Sequence, residues 1–371
     1  MKIAIIGGSI GGLVTGISLR KLGYEVDIFE RSPTEMQGRG AGLVIQPGLM
    51  DFVIENGISS SALFGVPAQE RQILDATGRI VSRYGNDTSF TSWNYLWNQL
   101  KAYFPAEHYH YNSRLIAVEQ GAGHVFADFD YKPTLKVDLL IGADGYSSTV
   151  REHFLPDVNP VYSGYIAYRG LIEEKDLSES DVSFFSNRFS LYPYSNSHLL
   201  AYMIPGHNGE LEKGKRLLNW VWYVNKSTTD LEKVLTDKNG IVRQFSVPSG
   251  YLSDENRRDL KDRAVKELPE ILSNLVQQTD NPFVQVIVDM SVPKMYNGRV
   301  VILGDAAFLV RPHTASGTAK AYEDGNALAA ALSEGGDMEQ LLKKWNTQQI
   351  SYATRLIHYG IQLGRQSGLG H

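Results

Sequence analysis

The chain opens on a short apolar run, Lys2 to Ile6, then a tight turn of small residues, Gly7 to Gly12, then apolar positions at helical spacing from Leu13 to Leu22 before Gly23. Glu25 to Phe29 follows as a second short strand. Two further apolar runs, Val137–Ile141 and Val300–Leu303, each enter a glycine-aspartate turn: Gly142, Ala143, Asp144, Gly145 and Gly304, Asp305. The pattern between them differs. From Tyr162 to Val247 the chain reads as short aromatic strands, RFSLYPY, SHLLAYMI and LLNWVWYV, separated by turns, which predicts an antiparallel sheet with one face covered. Gln72 to Ile80 reads as a hairpin over the Asp75–Gly78 turn, and Leu115 to Asp130 as a strand pair. Helical spacing marks Leu49–Glu55, Tyr95–Tyr103, Ser253–Gln278, Gly317–Leu332 and Asp337–Leu363. The fold class expected is α/β: a parallel-sheet domain built from separated pieces, an inserted antiparallel β-sheet domain, and C-terminal helices.

With 371 residues, 43% hydrophobic and 21% charged, the chain has ordinary globular composition and length for two domains. A net charge of -5 without a basic block argues against nucleic acid as a partner. No cysteine means no disulfide, no thiolate metal site and no redox thiol, so electron transfer requires a bound cofactor. The nine histidines lack a ligand spacing, and no metal is expected. The apolar N-terminus is explained by its strand and glycine spacing rather than by a signal peptide, and no later run approaches a membrane span. A soluble, cytoplasmic protein without a membrane partner is the expectation.

The turn Gly7, Gly8, Ser9, Ile10, Gly11, Gly12 follows the dinucleotide pattern G-x-G-x-x-G with Ser9 in the middle glycine place. Glycines there let the backbone approach a pyrophosphate, whose charge meets free N–H groups and the helix dipole. Glu30, at the end of the second strand, can accept from a ribose hydroxyl and repels a 2′-phosphate, which leaves NAD and FAD at this site. Arg39, Gly40 and Gly42 mark backbone that must pass close to something.

The glycine turn, DLLIGADGYSSTVR from Asp138 to Arg151, and GRVVILGDAAFLVRP from Gly298 to Pro312 together resemble the single-component flavoprotein aromatic hydroxylases, over nearly the whole chain. Within that family the likeness is greatest to the hydroxypyridine hydroxylases, through GRGAGLVIQP, SGYIAYRG and RPHTASGTAKA. The resemblance implies a Rossmann-like FAD-binding domain over 1–70, 92–160 and 280–335, a substrate domain over 71–91 and 161–279, and a helical segment over 336–371 that can pack a homodimer. It implies that Gly7, Ser9, Ile10 and Gly12 frame the cofactor, that Glu30 holds the adenosine ribose with Arg31 nearby, and that Arg39 adds a contact. Asp144 and Gly145 fall on an element tied to FAD and the nicotinamide cofactor, which Arg151 closes; a helix cap is the alternative for Asp144. Gly304 and Asp305 fall at the ribityl chain, and Pro312, Ser316, Gly317 and Thr318 beside the flavin ring. Phe308 replaces a frequent histidine, Trp93 stands where many relatives have an arginine, and Ala315, Ser316, Thr318 and Ala319 replace a glycine, glutamine and asparagine pattern.

The activity implied is reduction of FAD by NADH or NADPH, reaction with O2 to a C4a-hydroperoxide, and transfer of one oxygen atom to a hydroxypyridine or phenol. The same chemistry on a polyketide-like or terpenoid ring, and a flavin-binding sensor without turnover, are the alternatives. Tyr192, Tyr202, Met203 and Trp222 are candidate ring contacts, although strand alternation lets only one of the sets Trp220/Trp222 and Tyr223 face a pocket. His198 and His313 are the residues in these segments suited to moving a proton near neutrality, with Tyr223 as a further catalytic candidate. Arg169 is placed to pair with an anionic substrate.

Overall fold

The computed structural model describes residues 1–36, 41–59 and 64–370. Its first layer is a six-stranded sheet whose core is four parallel strands, Glu25–Phe29, Lys2–Ile6, Leu139–Gly142 and Val300–Ile302. The registers Ile6↔Phe29, Ile6↔Gly142 and Gly142↔Ile302 bring their carboxyl ends level. All four turns therefore leave the sheet at one edge, where open α/β sheets bind ligands. Leu139–Gly142 and Val300–Ile302 are buried throughout and Lys2–Ile6 is buried beyond Lys2, as their apolar runs require, while Glu25–Phe29 keeps Glu25 exposed and Asp27 half-buried.

The second layer is a nine-stranded, mostly antiparallel sheet in which Val161–Glu173, Leu217–Asn225, Ser197–Ile204 and Arg188–Tyr194 lie side by side. It extends past both expected domain limits. Phe283–Asp289 pairs with Val161–Glu173, beyond the expected limit at 279, Gly42–Val44 joins from within the segment 1–70, and Val66–Leu74 straddles the limit at 70. FVQVIVD has few polar alternations, so its apolar texture reads like a parallel strand. The hairpin turn is as expected: Asp75 Oδ1 accepts from Thr77 N at 2.8 Å, and Gly78 has φ +81°.

The charged stretch from Ser253 forms two helices, Asp254–Glu267 and Glu270–Gln278. Pro269 forces Leu268 into extended backbone (φ -106°, ψ 147°) and so divides them. They do not lead directly back to the first domain. Leu260, Ala264, Leu272 and Leu275 instead bury against the back of the antiparallel sheet, each fully buried leucine contributing about 2 kcal/mol.

After the helix Met338–Gln366 the chain folds back: Leu369 N donates to Gly364 O at 2.9 Å, and Leu369 packs fully buried with Tyr165 and Tyr223. Asn225 fastens the tail, accepting from Gly370 N at 2.9 Å and donating to Gly368 O at 2.8 Å. Among the described residues no helix is long and apolar enough to cross a membrane, and no group of three acidic, histidine or cysteine side chains is placed to hold a metal.

Candidate active site

The glycine turn is fixed from below. Trp97 Nε1 and Tyr109 Oη each donate to Gly8 O at 2.9 Å. Gly7 has φ +105°, and a Cβ on Gly12 would stand 2.0 Å from Gly7 O, so neither position admits another residue without moving the turn. Glu30 is buried at the turn's edge: its Oε2 accepts from Gly8 N at 2.9 Å and its Oε1 from Ser32 N at 2.8 Å. Each oxygen keeps a second lone pair for a ribose hydroxyl. Ser9, Ile10 and Arg31 line the open side, while Gly7 and Gly12 stand behind it and shape it. Arg39 lies outside the described residues.

Opposite this turn, Gly145, Gly304 and Asp305 line the same cleft. Asp144 does not, contrary to its expected cofactor contact. Its carboxylate turns back into its own loop, accepting from Ser148 Oγ at 2.5 Å and Val150 N at 3.2 Å at the start of the helix Thr149–Phe154. Burial pushes this carboxyl above its ordinary range, against those hydrogen bonds. Arg151 ties the two loops together, donating to Tyr146 O at 2.7 Å and Ala306 O at 3.1 Å.

The cleft holds about 1690 Å³ and runs from the glycine turn to the antiparallel sheet. Two helices start at it, Ile10–Lys21 and Gly317–Ser333, and neither N-terminus has a side-chain cap. Other helices, such as Trp93–Tyr103 and Asp254–Glu267, are capped by serine. The uncapped ends leave N–H donors and positive dipole ends toward the cleft, as anionic groups require. A Cβ on Gly317 would meet nothing within 4 Å, so the entrance to the second helix is open. The steric demand for glycine, the donor set and the volume fit FAD. Pro312, Gly317 and Thr318 line the cleft, and Ser316 does not.

The far floor is one face of the antiparallel sheet. Tyr223 on Leu217–Asn225 pairs with His198 on Ser197–Ile204, and both meet His313 from the flavin-side loop. Ring centroids are 4.9 Å apart for His198–Tyr223, 5.2 Å for His198–His313 and 4.8 Å for Tyr223–His313. Burial lowers His198 to about 4, with the Arg71 charge acting in the same direction. Burial also lowers His313 to about 3, reinforced by His198 and Arg311. Both imidazoles are neutral at pH 7. Burial raises the Tyr223 phenol well above its ordinary value.

Tyr202 lines the floor too, two positions beyond Leu200 on the same face. Tyr192, Met203 and Trp222 do not. Strand alternation turns them to the helix-covered side, where Tyr192 stacks on Tyr194 at 5.0 Å and Trp222 Nε1 donates to Tyr194 Oη at 3.0 Å. Of the two alternating sets, Tyr223 faces the cleft.

Two neighbours escaped the sequence reading. Tyr165 Oη lies 2.9 Å from His313 Nε2, and Arg71 reaches the cleft with its guanidinium 5.0 Å from the Phe189 ring centroid. Tyr165 stands at even spacing from Arg169 on one strand, so alternation alone would have placed it beside that candidate. Arg71 carried no local signal.

Residues 1–156 match the family model described as FAD binding domain, and residues 162–289 one described as FAD binding domain-like. The chain is 34% identical to 2,6-dihydroxypyridine 3-monooxygenase of Paenarthrobacter nicotinovorans, over 94% of this chain and 87% of that protein. It is 25% identical to 6-hydroxynicotinate 3-monooxygenase of Pseudomonas fluorescens, over 90% of this chain and 83% of the relative. The solved structure of 2,6-dihydroxypyridine-3-hydroxylase from Arthrobacter nicotinovorans superposes with a TM-score of 0.93 at 33% identity, covering 100% of this chain and 94% of that one. With its level strand ends, uncapped helix starts and aromatic floor, the chain belongs to the FAD-dependent aromatic monooxygenases.

Proposed function

We propose that this enzyme uses NADH or NADPH to hydroxylate a small hydroxypyridine or phenol held against the His198, Tyr223 and His313 cluster. The observation that carries this reading is that cluster, where the loop entering the flavin-side helix meets the aromatic sheet face. FAD, held by Ser9, Ile10, Arg31, Gly304, Asp305, Gly317 and Thr318, supplies the activation of O2.

The protein's own residues prepare the ring. Val221, Leu200 and Tyr202 offer a largely apolar floor that excludes water and leaves room for a planar ring. Arg71 and Arg169 face the same cleft, and neither forms a salt bridge to a carboxylate among the described residues. Their field favours a ring hydroxyl bound as the oxyanion, the form more reactive toward electrophilic oxygen. The neutral imidazole of His198 accepts a proton without holding it, since burial disfavours its charged form. Tyr165 stays protonated and can donate to His313 Nε2, which would leave Nδ1 carrying the imidazole proton.

The test is to measure NADH and NADPH oxidation by the purified flavoprotein with and without 2,6-dihydroxypyridine, 6-hydroxynicotinate or a simple phenol, with mass analysis of the product. Stimulated oxidation and a product heavier by one oxygen atom are expected for at least one hydroxypyridine. Absence of stimulation by every hydroxylated ring tried would overturn the assignment.

A further inference from the structure

Lys320 lies in the first turns of the helix Gly317–Ser333 and is 1% exposed, a rare position for a lysine. Its ammonium bonds Asp305 Oδ1 at 2.5 Å and the Phe308 carbonyl, and stands 4.7 Å from the centroid of the Phe308 ring. Asp305, with its side chain 51% exposed, faces the cleft, and so does Lys320. Of three ammonium N–H donors, two are used by these partners.

The surroundings are acidic. One helical turn on, Asp324 is fully buried; its Oδ2 accepts from Gly304 N at 2.8 Å, and its Oδ1 has no partner. The Gly304–Asp305 turn is thus flanked by one cation and two carboxyl groups. Burying the ammonium carries a desolvation cost that a half-exposed carboxylate partner offsets only in part, so stability alone gives no reason for it.

Its position gives one. The helix start at Gly317 and the Gly304–Asp305 turn line the cleft that fits FAD. A flavin gains negative charge on two-electron reduction, and a fixed, desolvated cation distinguishes the two states more strongly than a hydrated one.

We propose that Lys320 is a positioning residue for the cofactor: it directs the Asp305 carboxylate into the FAD site and, by its charge, stabilises reduced flavin relative to oxidised. The inference rests on FAD being the resident cofactor.

The test compares wild type with Lys320→Met, Asp305→Asn and the double variant, reading the reduction potential of bound FAD against a reference dye and the dissociation constant for oxidised FAD. Lys320→Met leaves Asp305 uncompensated, so preference for reduced over oxidised FAD falls at least tenfold, about 30 mV for a two-electron couple. Asp305→Asn shifts the preference the other way, and the double variant returns within about threefold of wild type. A purely structural lysine predicts a lowered Tm with the preference unchanged within twofold in both single variants, and that result overturns the proposal. If Lys320→Met does not fold, Asp305→Asn decides alone, since an unchanged preference there is equally fatal. A wild-type chain that binds no FAD would instead count against the cofactor assignment.

Discussion

Acid should weaken this fold through two histidines at the heart of its cleft. In the folded protein burial lowers His198 to about 4 and His313 to about 3, against an ordinary value near 6.5 in the unfolded chain. As pH falls through 6.5 the unfolded chain takes up these protons first. The stability held above that pH is therefore lost on acidification, by about 1.4 kcal/mol per pH unit per site until the folded groups titrate. At pH 5, below the unfolded value and above both folded ones, this amounts to about 2 kcal/mol for His198. For His313, partly open to the cleft, about 1 to 2 kcal/mol is the discounted figure. Urea unfolding at saturating FAD, at pH 7.5 and pH 5.0, measures the loss in wild type and in the double variant His198→Gln/His313→Gln. Groups outside the pair are common to both proteins and cancel in the comparison. Wild type should lose about 3 kcal/mol more than the variant between these pH values. Equal losses would refute the claim that the pair is buried and neutral.

Three further outcomes follow from the geometry. Gly12→Ala places a Cβ 2.0 Å from a backbone carbonyl, so affinity for FAD should fall about a hundredfold by flavin fluorescence titration, while Gly23→Ala, strained by its φ of +83° but with nothing within 4 Å of the Cβ, should lower Tm and leave FAD affinity near wild type. Tyr223→Phe should lower the yield of hydroxylated product per NAD(P)H consumed, whereas Trp222→Phe, on the other face of the same strand, should lower Tm and leave that yield unchanged; the reverse pattern would mean that the facing is wrong. Asn225→Ala removes both bonds that fasten the tail, and peroxide release during NAD(P)H oxidation should rise several-fold as water reaches Tyr165 and Tyr223.

What the sequence made legible depended on locality. The glycine turn, both glycine-aspartate turns and the three central strands RFSLYPY, SHLLAYMI and LLNWVWYV stand at the expected residues, because each is defined by contiguous periodicity or by turns that admit only small residues. The facing of those strands was open between two sets and needed the helices Asp254–Glu267 and Glu270–Gln278 to decide it, since both faces carry aromatic residues. Asp144 shows the limit of motif transfer: its place in the loop was expected, yet Ser148 and Val150 draw its carboxylate away from the cleft. Arg71 and Lys320 were invisible for a different reason. Each acquires meaning only from partners far along the chain or on another turn, Phe189 for one and Asp305 with Phe308 for the other.

The level ends of the parallel strands also constrain how the molecule is made. Ile6, Phe29, Gly142 and Ile302 are adjacent in space, and Gly304 and Gly317 line the cleft beside them. During synthesis the first strands and the glycine turn leave the ribosome long before Val300–Ile302, while the antiparallel sheet and its helices, all but the last strand Phe283–Asp289, can pair locally in between. The edge of Leu139–Gly142 that Val300–Ile302 will occupy stays unpaired through that interval, and its closure is a contact of high sequence separation. FAD bound across both sides of the cleft, as proposed above, would bind only after that closure and would then hold the sheet shut by mass action, so flavin supply would set how much of this chain survives to work.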